Sequence, residues 1–161
     1  HAAALAPERV EARLACAAAL QRTGQREAAV EHFAAAARLR PDSPEISYNW
    51  GTLLLELKRE EAAAAAFKSA VALRPDWVPA RHNLALALMR LRRPAEAADH
   101  YSAIARLEPT AQAWHNLALA HAEAGRLAEA KAADEHALTL EPSFAPARYH
   151  LQLLEAVRKK P

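Results

Sequence analysis

Apolar positions along the chain fall into segments of helical length that are separated by short polar turns. The segments come in pairs, and each pair ends with a leucine two residues before a proline. Because proline lacks a backbone N–H and disfavours helical geometry in the preceding residue, the pattern predicts repeated helix hairpins, each closed by a proline. The spacings are 34, 34, 34 and 33 residues, for Pro7, Pro41, Pro75, Pro109 and Pro142.

Two positions in every copy hold only small residues. Small residues at these positions predict that two helix backbones approach closely there, because larger side chains would clash. Phe33, Phe67 and Tyr101 lie eight residues before their prolines and would fill the space beside this contact. Asp134 replaces the aromatic residue in the fourth copy, so we expect that hairpin to pack differently. The small residues are Ala29, Ala63, Ala97 and Ala130, and Ala17, Gly51, Ala85 and Ala118.

The turns set the predicted helix boundaries. Gly24 and Gly125 mark two hairpin turns, because glycine readily adopts a left-handed conformation. Lys58 and the sequence Arg92-Arg93-Pro94 mark the other two. The first helices are predicted at 8–22, 44–57, 78–91 and 111–124, and their partners at 25–39, 60–73, 94–107 and 127–140.

Composition agrees with an all-helical chain and excludes several functions. The chain is rich in alanine, and aromatic residues make up only 6% of it. A net charge of +2, spread in short clusters, gives no cationic stripe for nucleic acid. No apolar run reaches the ~18 residues of a membrane span. Cys16 is the only cysteine, which excludes an intrachain disulfide and suits a reducing compartment, so we expect a cytoplasmic protein.

The fullest copy, residues 113–142, resembles the tetratricopeptide repeat (TPR) family. Four copies in register extend the resemblance over essentially the whole chain. It implies an all-α solenoid of stacked antiparallel helix hairpins in a right-handed superhelix. The resemblance rests on Trp114, His115, Asn116, Leu117, Ala118, Gly125, Ala130, Ala137 and Pro142, with His121 where the family prefers tyrosine.

The repeat alignment predicts one TPR domain over residues 1–161. Its four repeats would be residues 8–41, 42–75, 76–109 and 110–142. Residues 1–7 match the end of a preceding repeat, so we expect the chain to begin inside a longer array, with His1 as a possible tag remnant. Residues 143–161 open a fifth copy or form a capping helix, and Lys159-Lys160-Pro161 aligns with Arg92-Arg93-Pro94.

The resemblance implies that the first helices line a concave groove. One position on them holds Asn49, Asn83, Asn116 and His150. An amide offers an acceptor and two donors to the backbone of an extended peptide, and a helix spacing of ~10 Å matches three extended residues. Similar asparagine ladders occur in the TPR superhelix of O-linked N-acetylglucosamine transferases. The alternative is that these asparagines only tie each helix to its neighbour.

A second row of residues borders this groove. Aromatic and imidazole groups combine an apolar face with a polar tip, which suits peptide binding, although burial between helices is the alternative. Arg22, Glu56, Arg90 and Glu123 alternate in sign near the helix ends and indicate no preference for a strongly charged ligand. The row consists of Leu14, Tyr48, His82, His115 and Tyr149, with Thr52 one turn further on.

No catalytic, cofactor or metal site is predicted. The sequence has no nucleophile elbow, phosphate-binding loop or framed Cys–His pair, so we predict that it is not an enzyme. His82, His115 and His150 lie near one row, but no pair has the i, i+4 spacing of a helical zinc site and no carboxylate accompanies them. The pair Asp134-Glu135 is interpreted as part of a solvated face.

The predicted function is protein–protein interaction, in which the groove holds an extended segment of a partner protein. One alternative is a substrate-recruiting arm of a larger bacterial enzyme, of the glycosyltransferase or sulfotransferase type. Another is a self-assembling scaffold, in which the apolar face of helix 8–22 stacks end to end on a second copy. The excess of arginine over lysine suggests a GC-rich bacterial source.

Overall fold

The computed structural model describes the backbone of residues 2–158 and the side chains of residues 9–156. Within this part of the chain the structure has nine α-helices and no β-strand, which confirms the predicted all-α class. The helices are α1 (Ala2–Arg22), α2 (Arg26–Leu39), α3 (Pro44–Glu56), α4 (Glu60–Leu73), α5 (Val78–Arg90), α6 (Pro94–Leu107), α7 (Ala111–Glu123), α8 (Leu127–Leu140) and α9 (Ala145–Arg158).

Helices α2 to α8 begin and end within one residue of their predicted positions, and side chains cap two of them at their N-termini. The Ser43 hydroxyl accepts a hydrogen bond from the Ile46 N–H, and the Thr110 hydroxyl accepts one from the Ala113 N–H. Each cap satisfies a backbone donor that the first helical turn leaves without a partner. Pro94 begins α6, where its missing N–H has no helical partner to lose.

The four hairpin turns share one geometry. Each places a residue with positive φ after a first helix: Gly24 (79°), Lys58 (57°), Arg92 (57°) and Gly125 (75°). The following N–H groups, of Gln25, Arg59, Arg93 and Arg126, donate to the carbonyls of Leu20, Leu54, Leu88 and His121 at 2.8, 2.9, 2.9 and 2.9 Å. This is the six-to-one bond that closes a helix on a left-handed residue, and it confirms the predicted turns.

Helix α1 differs from its prediction, because it begins at Ala2 rather than near residue 8. The predicted boundary at Pro7 is therefore not a break in the helix. Residues 2–6 are four alanines and a leucine, which have high helix propensity. Pro7 lies in the second turn, where its missing N–H deprives only the Ala3 carbonyl of a helical partner. His1 and the turn predicted at residues 159–161 lie outside the described residues.

The chain divides inside α5 into two compact units. The N-terminal unit ends at Ala87 and the C-terminal unit begins at Leu88. In each unit the small residues of the repeat are buried, as predicted for closely approaching helices. Val10, Ala36 and Ile46 form an apolar cluster in the N-terminal unit. In the C-terminal unit Ala111, Ala137 and Ala147 form another, against which Trp114, Leu138 and Phe144 pack.

No helix in the described part of the chain is both long enough and apolar enough to cross a membrane.

Candidate functional site

The N-terminal unit has a cavity of about 410 Å³ between its first two hairpins. Leu14 and Phe33 supply apolar walls, while the exposed Asn49 and the half-buried Thr52 supply polar atoms. The Thr52 hydroxyl donates to the Tyr48 carbonyl at 3.0 Å, which fixes its orientation on α3. An apolar cavity with a few polar groups at its edge is the usual form of a binding site. The lining residues are Leu14, Ala18, Gln21, Phe33, Asn49 and Thr52.

Tyr48 belongs to an aromatic cluster in the N-terminal unit. Its ring centroid lies 5.8 Å from that of Phe67 and 4.7 Å from that of Trp77. The guanidinium carbon of Arg74 lies 4.6 Å from the Trp77 ring centroid, in cation–π contact. The ring of the half-buried Tyr48 therefore packs against other side chains, and its hydroxyl is the polar end of the side chain.

The predicted asparagine positions have different environments. Asn49 is exposed and lines the cavity, so its amide is accessible. Asn83 is half-buried and donates to the Tyr48 hydroxyl at 3.3 Å, which ties α5 to α3. Asn116 accepts a hydrogen bond from the Gln112 amide, one turn earlier on the same helix, at 2.8 Å. Of the three, Asn83 makes the tie to a neighbouring helix that the alternative interpretation predicted, while binding of a peptide by the row stays a prediction.

The corresponding positions of the C-terminal unit form a buried polar cluster. The Nδ1 atom of His115 on α7 lies 2.7 Å from Oδ1 of Asp134 on α8. The Nδ1 atom of His150 on α9 lies 2.5 Å from the second oxygen, Oδ2. Since an ionised carboxylate only accepts hydrogen bonds, each imidazole donates through Nδ1. One carboxylate thus joins three helices through both of its oxygens.

Asp134 is completely buried, with 0% of its surface exposed. The side chains of His115 and His150 are 9% and 12% exposed. The two imidazole centroids lie 5.7 Å apart in an edge-to-face arrangement, and Phe144 packs against His115 at 5.7 Å. The prediction that Asp134 belongs to a solvated face is wrong. Its carboxylate is buried because the two imidazoles supply the hydrogen bonds that water would otherwise make.

A family model for the tetratricopeptide repeat matches residues 14–76 and 82–143, which is most of the chain. The chain belongs to the tetratricopeptide repeat family. The helix hairpins, the buried small residues and the turn geometry described above are the structural form of that repeat. Comparison with curated protein sequences finds no match.

Solved structures with the TPR fold agree with this assignment. MamA from Desulfovibrio magneticus RS-1, residues 41 to the end, is 22% identical, with a TM-score of 0.77 over 93% of this chain and 85% of that one. YrrB, described as a TPR protein with an unusual peptide-binding site, is 20% identical, with a TM-score of 0.73 over 89% and 74%. These similarities establish a shared fold and confirm the predicted TPR solenoid class.

A third structure, the first TPR of Spaghetti (RPAP3), was solved with an HSP90 peptide, SRMEEVD. It is 20% identical, with a TM-score of 0.63 over 73% of this chain and 94% of that one. At this identity the similarity again concerns the fold alone.

The TPR register relates the buried cluster to counterparts in the second and third repeats. His115 corresponds to Tyr48, and Asp134 corresponds to Phe67. His150, in the fifth copy, corresponds to Asn83 of the third repeat. Two contacts correspond as well: Tyr48 packs on Phe67 as His115 lies beside Asp134, and Tyr48 meets Asn83 as His115 meets His150. An aromatic, phenol and amide set is thus replaced by a carboxylate and two imidazoles.

The remaining predicted site residues lie in different environments. His115 was expected to border the groove but is buried at 7% exposure, because Asp134 draws its imidazole into the hairpin. Tyr149 is 64% exposed on α9, and His82 is half-buried on α5. Asp134 was not among the predicted site residues. The sequence did contain a signal for the cluster. Asp134 is an acidic residue where the other repeats have an aromatic one, and the positions aligned with Tyr48 and Asn83 both hold histidine.

Proposed function

We propose that this TPR domain is a protein–protein interaction module that binds an extended segment of a partner protein on its first-helix face. The observation that carries the proposal is the cavity between the first two hairpins, where the exposed Asn49 amide adjoins apolar walls. Its volume of about 410 Å³ is sufficient for one large apolar side chain together with its own backbone.

The lining chemistry favours a particular kind of ligand. Leu14 and Phe33 would contact an apolar side chain, and the Asn49 amide would pair with the N–H and C=O of the same peptide unit. This combination anchors a segment by one side chain and by its backbone, so it requires little sequence outside the anchor. The ligand is expected to be an extended segment with one bulky apolar residue.

Charges near the helix ends support an uncharged ligand. Glu56 is engaged by Arg26 at 3.5 Å, and in the C-terminal unit Glu123 is engaged by Arg92 at 3.9 Å. Each carboxylate is thereby partly neutralised within its own unit. A partner segment therefore gains little from net charge of either sign, and its affinity should depend weakly on salt.

The family and two of its members add support by analogy. YrrB is described with a peptide-binding site, and the RPAP3 domain with a bound HSP90 peptide. Both statements concern those proteins, and fold similarity alone transfers no ligand. What they contribute is that some proteins with this fold bind peptides.

The test is a peptide-display selection on the domain, followed by affinity measurement of the selected peptides. Ala18→Arg would fill the cavity from an exposed position on α1. Ala19→Arg is the matched control, because Ala19 is exposed on the same helix but does not line the cavity. We expect Ala18→Arg to weaken binding at least tenfold and Ala19→Arg to leave it within twofold.

A second variant, Asn49→Ala, separates backbone binding from side-chain binding. We expect several-fold weaker affinity with unchanged thermal unfolding, since one hydrogen bond to a ligand contributes about 1 kcal/mol. Light scattering on the same samples distinguishes partner binding from self-association. Selected peptides that bind Ala18→Arg as tightly as the unchanged protein would refute the proposed site.

A further inference from the structure

We propose that His115, Asp134 and His150 form a binding site for a divalent transition-metal ion of the zinc class. Each residue offers one ligand atom, and these atoms all lie within 4.8 Å of one another. The three side chains come from α7, α8 and α9 of the C-terminal unit. A bound ion would therefore connect three consecutive helices of the TPR array.

Charge is the first argument for the site. Among the described residues, the polar contacts of Asp134 are with the imidazoles of His115 and His150. A completely buried carboxylate is costly unless it is fully compensated, and imidazoles that are neutral supply hydrogen bonds but no positive charge. A divalent cation would supply both the charge and the coordination.

The repeat register gives a second, independent argument. The three residues replace Tyr48 and Phe67 of the second repeat and Asn83 of the third, where Tyr48 contacts both of the other two. Structural packing at these positions is achieved there without any ionisable pair. One repeat earlier the equivalent positions hold His82, Tyr101 and Asn116, so only the set around Asp134 places a transition-metal ligand at all three positions, which packing alone does not require.

The present geometry is hydrogen-bonded and has to open before an ion can bind. Distances of 2.7 and 2.5 Å are hydrogen-bond lengths, whereas neighbouring ligands of a tetrahedral zinc ion lie about 3.3 Å apart. Metal binding therefore requires the carboxylate and imidazoles to separate by about 0.7 Å. Each neutral imidazole would move its proton from Nδ1 to Nε2 through solvent, so that the ion takes the place of both hydrogen bonds.

His150 provides the route by which the site can open. Its side chain is 12% exposed and lies on α9, which packs against α8. Two imidazoles and one carboxylate favour zinc and neighbouring transition metals over Ca²⁺ or Mg²⁺, which prefer all-oxygen sites. Three protein ligands leave a fourth position for water or for a group from a partner.

The test uses the full chain with Cys16→Ser, because Cys16 is exposed and thiolates are zinc ligands. Zn²⁺ is titrated by calorimetry and Co²⁺ by its visible absorption, after treatment with a chelator. We expect one ion per chain and a cobalt spectrum of tetrahedral type. Asp134→Asn, which preserves shape, should weaken binding at least tenfold.

A triple variant guards against loss of folding. His115→Tyr, Asp134→Phe and His150→Asn together introduce the residue types of Tyr48, Phe67 and Asn83 and should abolish the site while keeping the hairpin packed. His82→Tyr is the matched control, because His82 holds the position of His115 in the preceding repeat. It should leave binding unchanged, which separates the site from general binding by the eight histidines.

Heteronuclear NMR of the imidazole nitrogens identifies the ligands directly. We expect Zn²⁺ to shift the Nδ1 resonances of two histidines only, and these shifts to be absent in the triple variant. Zn²⁺ binding that is equally tight in the triple variant, or absent from the unchanged chain, would overturn the proposal. The cluster would then be a hydrogen-bonded element of the core.

Discussion

The ring of Phe67 lies directly against the backbone of Gly51. A Cβ atom at Gly51 would lie 2.8 Å from both Cδ1 and Cε1 of that ring. The Phe67 side chain is completely buried and also packs on Tyr48, so it has little freedom to move away. The first repeat holds Ala17 at this position, with Leu14 in place of the tyrosine. The close contact is therefore a property of the second repeat.

Gly51→Ala is expected to destabilise the protein in spite of its better helix propensity. Overpacking in a filled core costs about 1–3 kcal/mol, whereas alanine gains about 1 kcal/mol over glycine inside a helix. We expect a net loss of about 1 kcal/mol in the free energy of unfolding, measured by urea denaturation. Adding Tyr48→Leu, which reproduces the residue pair of the first repeat, should make the same substitution less costly. Equal costs in both backgrounds would contradict this account.

Asn83→Ala tests the tie between successive first helices. Loss of the 3.3 Å hydrogen bond to the Tyr48 hydroxyl should lower the free energy of unfolding by about 0.5–1.5 kcal/mol. Tyr48→Phe should cost a similar amount, and the double variant should cost less than the sum. Thermal unfolding of Asn49→Ala provides the contrast, since this exposed amide should contribute little to stability. Additive effects of Asn83→Ala and Tyr48→Phe would show that the bond contributes nothing.

Asp134→Ala is expected to be strongly destabilising in metal-free buffer. The substitution leaves two imidazole donors without their acceptor and opens a small cavity in the hairpin. Removing one member of a buried polar pair costs about 3 kcal/mol. The triple substitution His115→Tyr, Asp134→Phe and His150→Asn should be less destabilising than Asp134→Ala. Chemical denaturation with a chelator present measures both, and a harmless Asp134→Ala would mean that the cluster does not hold α9.

His121 makes stability depend on pH. Burial lowers the pKa of its imidazole, with smaller opposing effects from Glu129 and Asp99 and a reinforcing one from Arg126. The unfolded chain therefore takes up this proton more readily than the folded chain. The contribution of His121 to the free energy of unfolding is fully present above about pH 6.5, the pKa of the imidazole in the unfolded chain. It declines as the pH falls below that value.

Leucine is the natural replacement, because Leu20, Leu54 and Leu88 hold the position of His121 in the other repeats. His121→Leu should lose less stability between pH 7.5 and about 5.5 than the unchanged protein. Denaturation curves at several pH values, with a chelator present, give the two slopes. Parallel slopes would exclude His121 as a contributor.

The sequence was sufficient for most of the helices because their ends depend on neighbours in the chain. Ser43 and Thr110 cap α3 and α7, and the left-handed residues that close the hairpins lie where the repeat pattern places them. The start of α1 was not predicted, because a proline such as Pro7 usually ends a helix. A proline in the second turn removes one backbone hydrogen bond and crowds the preceding turn, so local propensity does not account for the helix that runs through Pro7.

The candidate sites were less predictable because they depend on contacts between repeats. Asn49, Asn83 and Asn116 look alike in the sequence, yet one lines a cavity, one bonds a tyrosine and one bonds a glutamine of its own helix. Asp134 was considered alone, as an acidic residue on an exposed helix. Only comparison across three aligned positions at once would have placed its carboxylate between two imidazoles.

Two of the four hairpin turns could be made more stable by substitution. Gly24 and Gly125 adopt positive φ freely, whereas Lys58 and Arg92 hold a Cβ atom in the same left-handed conformation, at a cost of about 1 kcal/mol each. Both residues are exposed, and neither lines the cavity or belongs to the buried cluster. Lys58→Gly and Arg92→Gly should each raise the melting temperature by a few degrees. Substitutions at these turns would therefore add stability that offsets the destabilising effect of later changes to the binding surfaces.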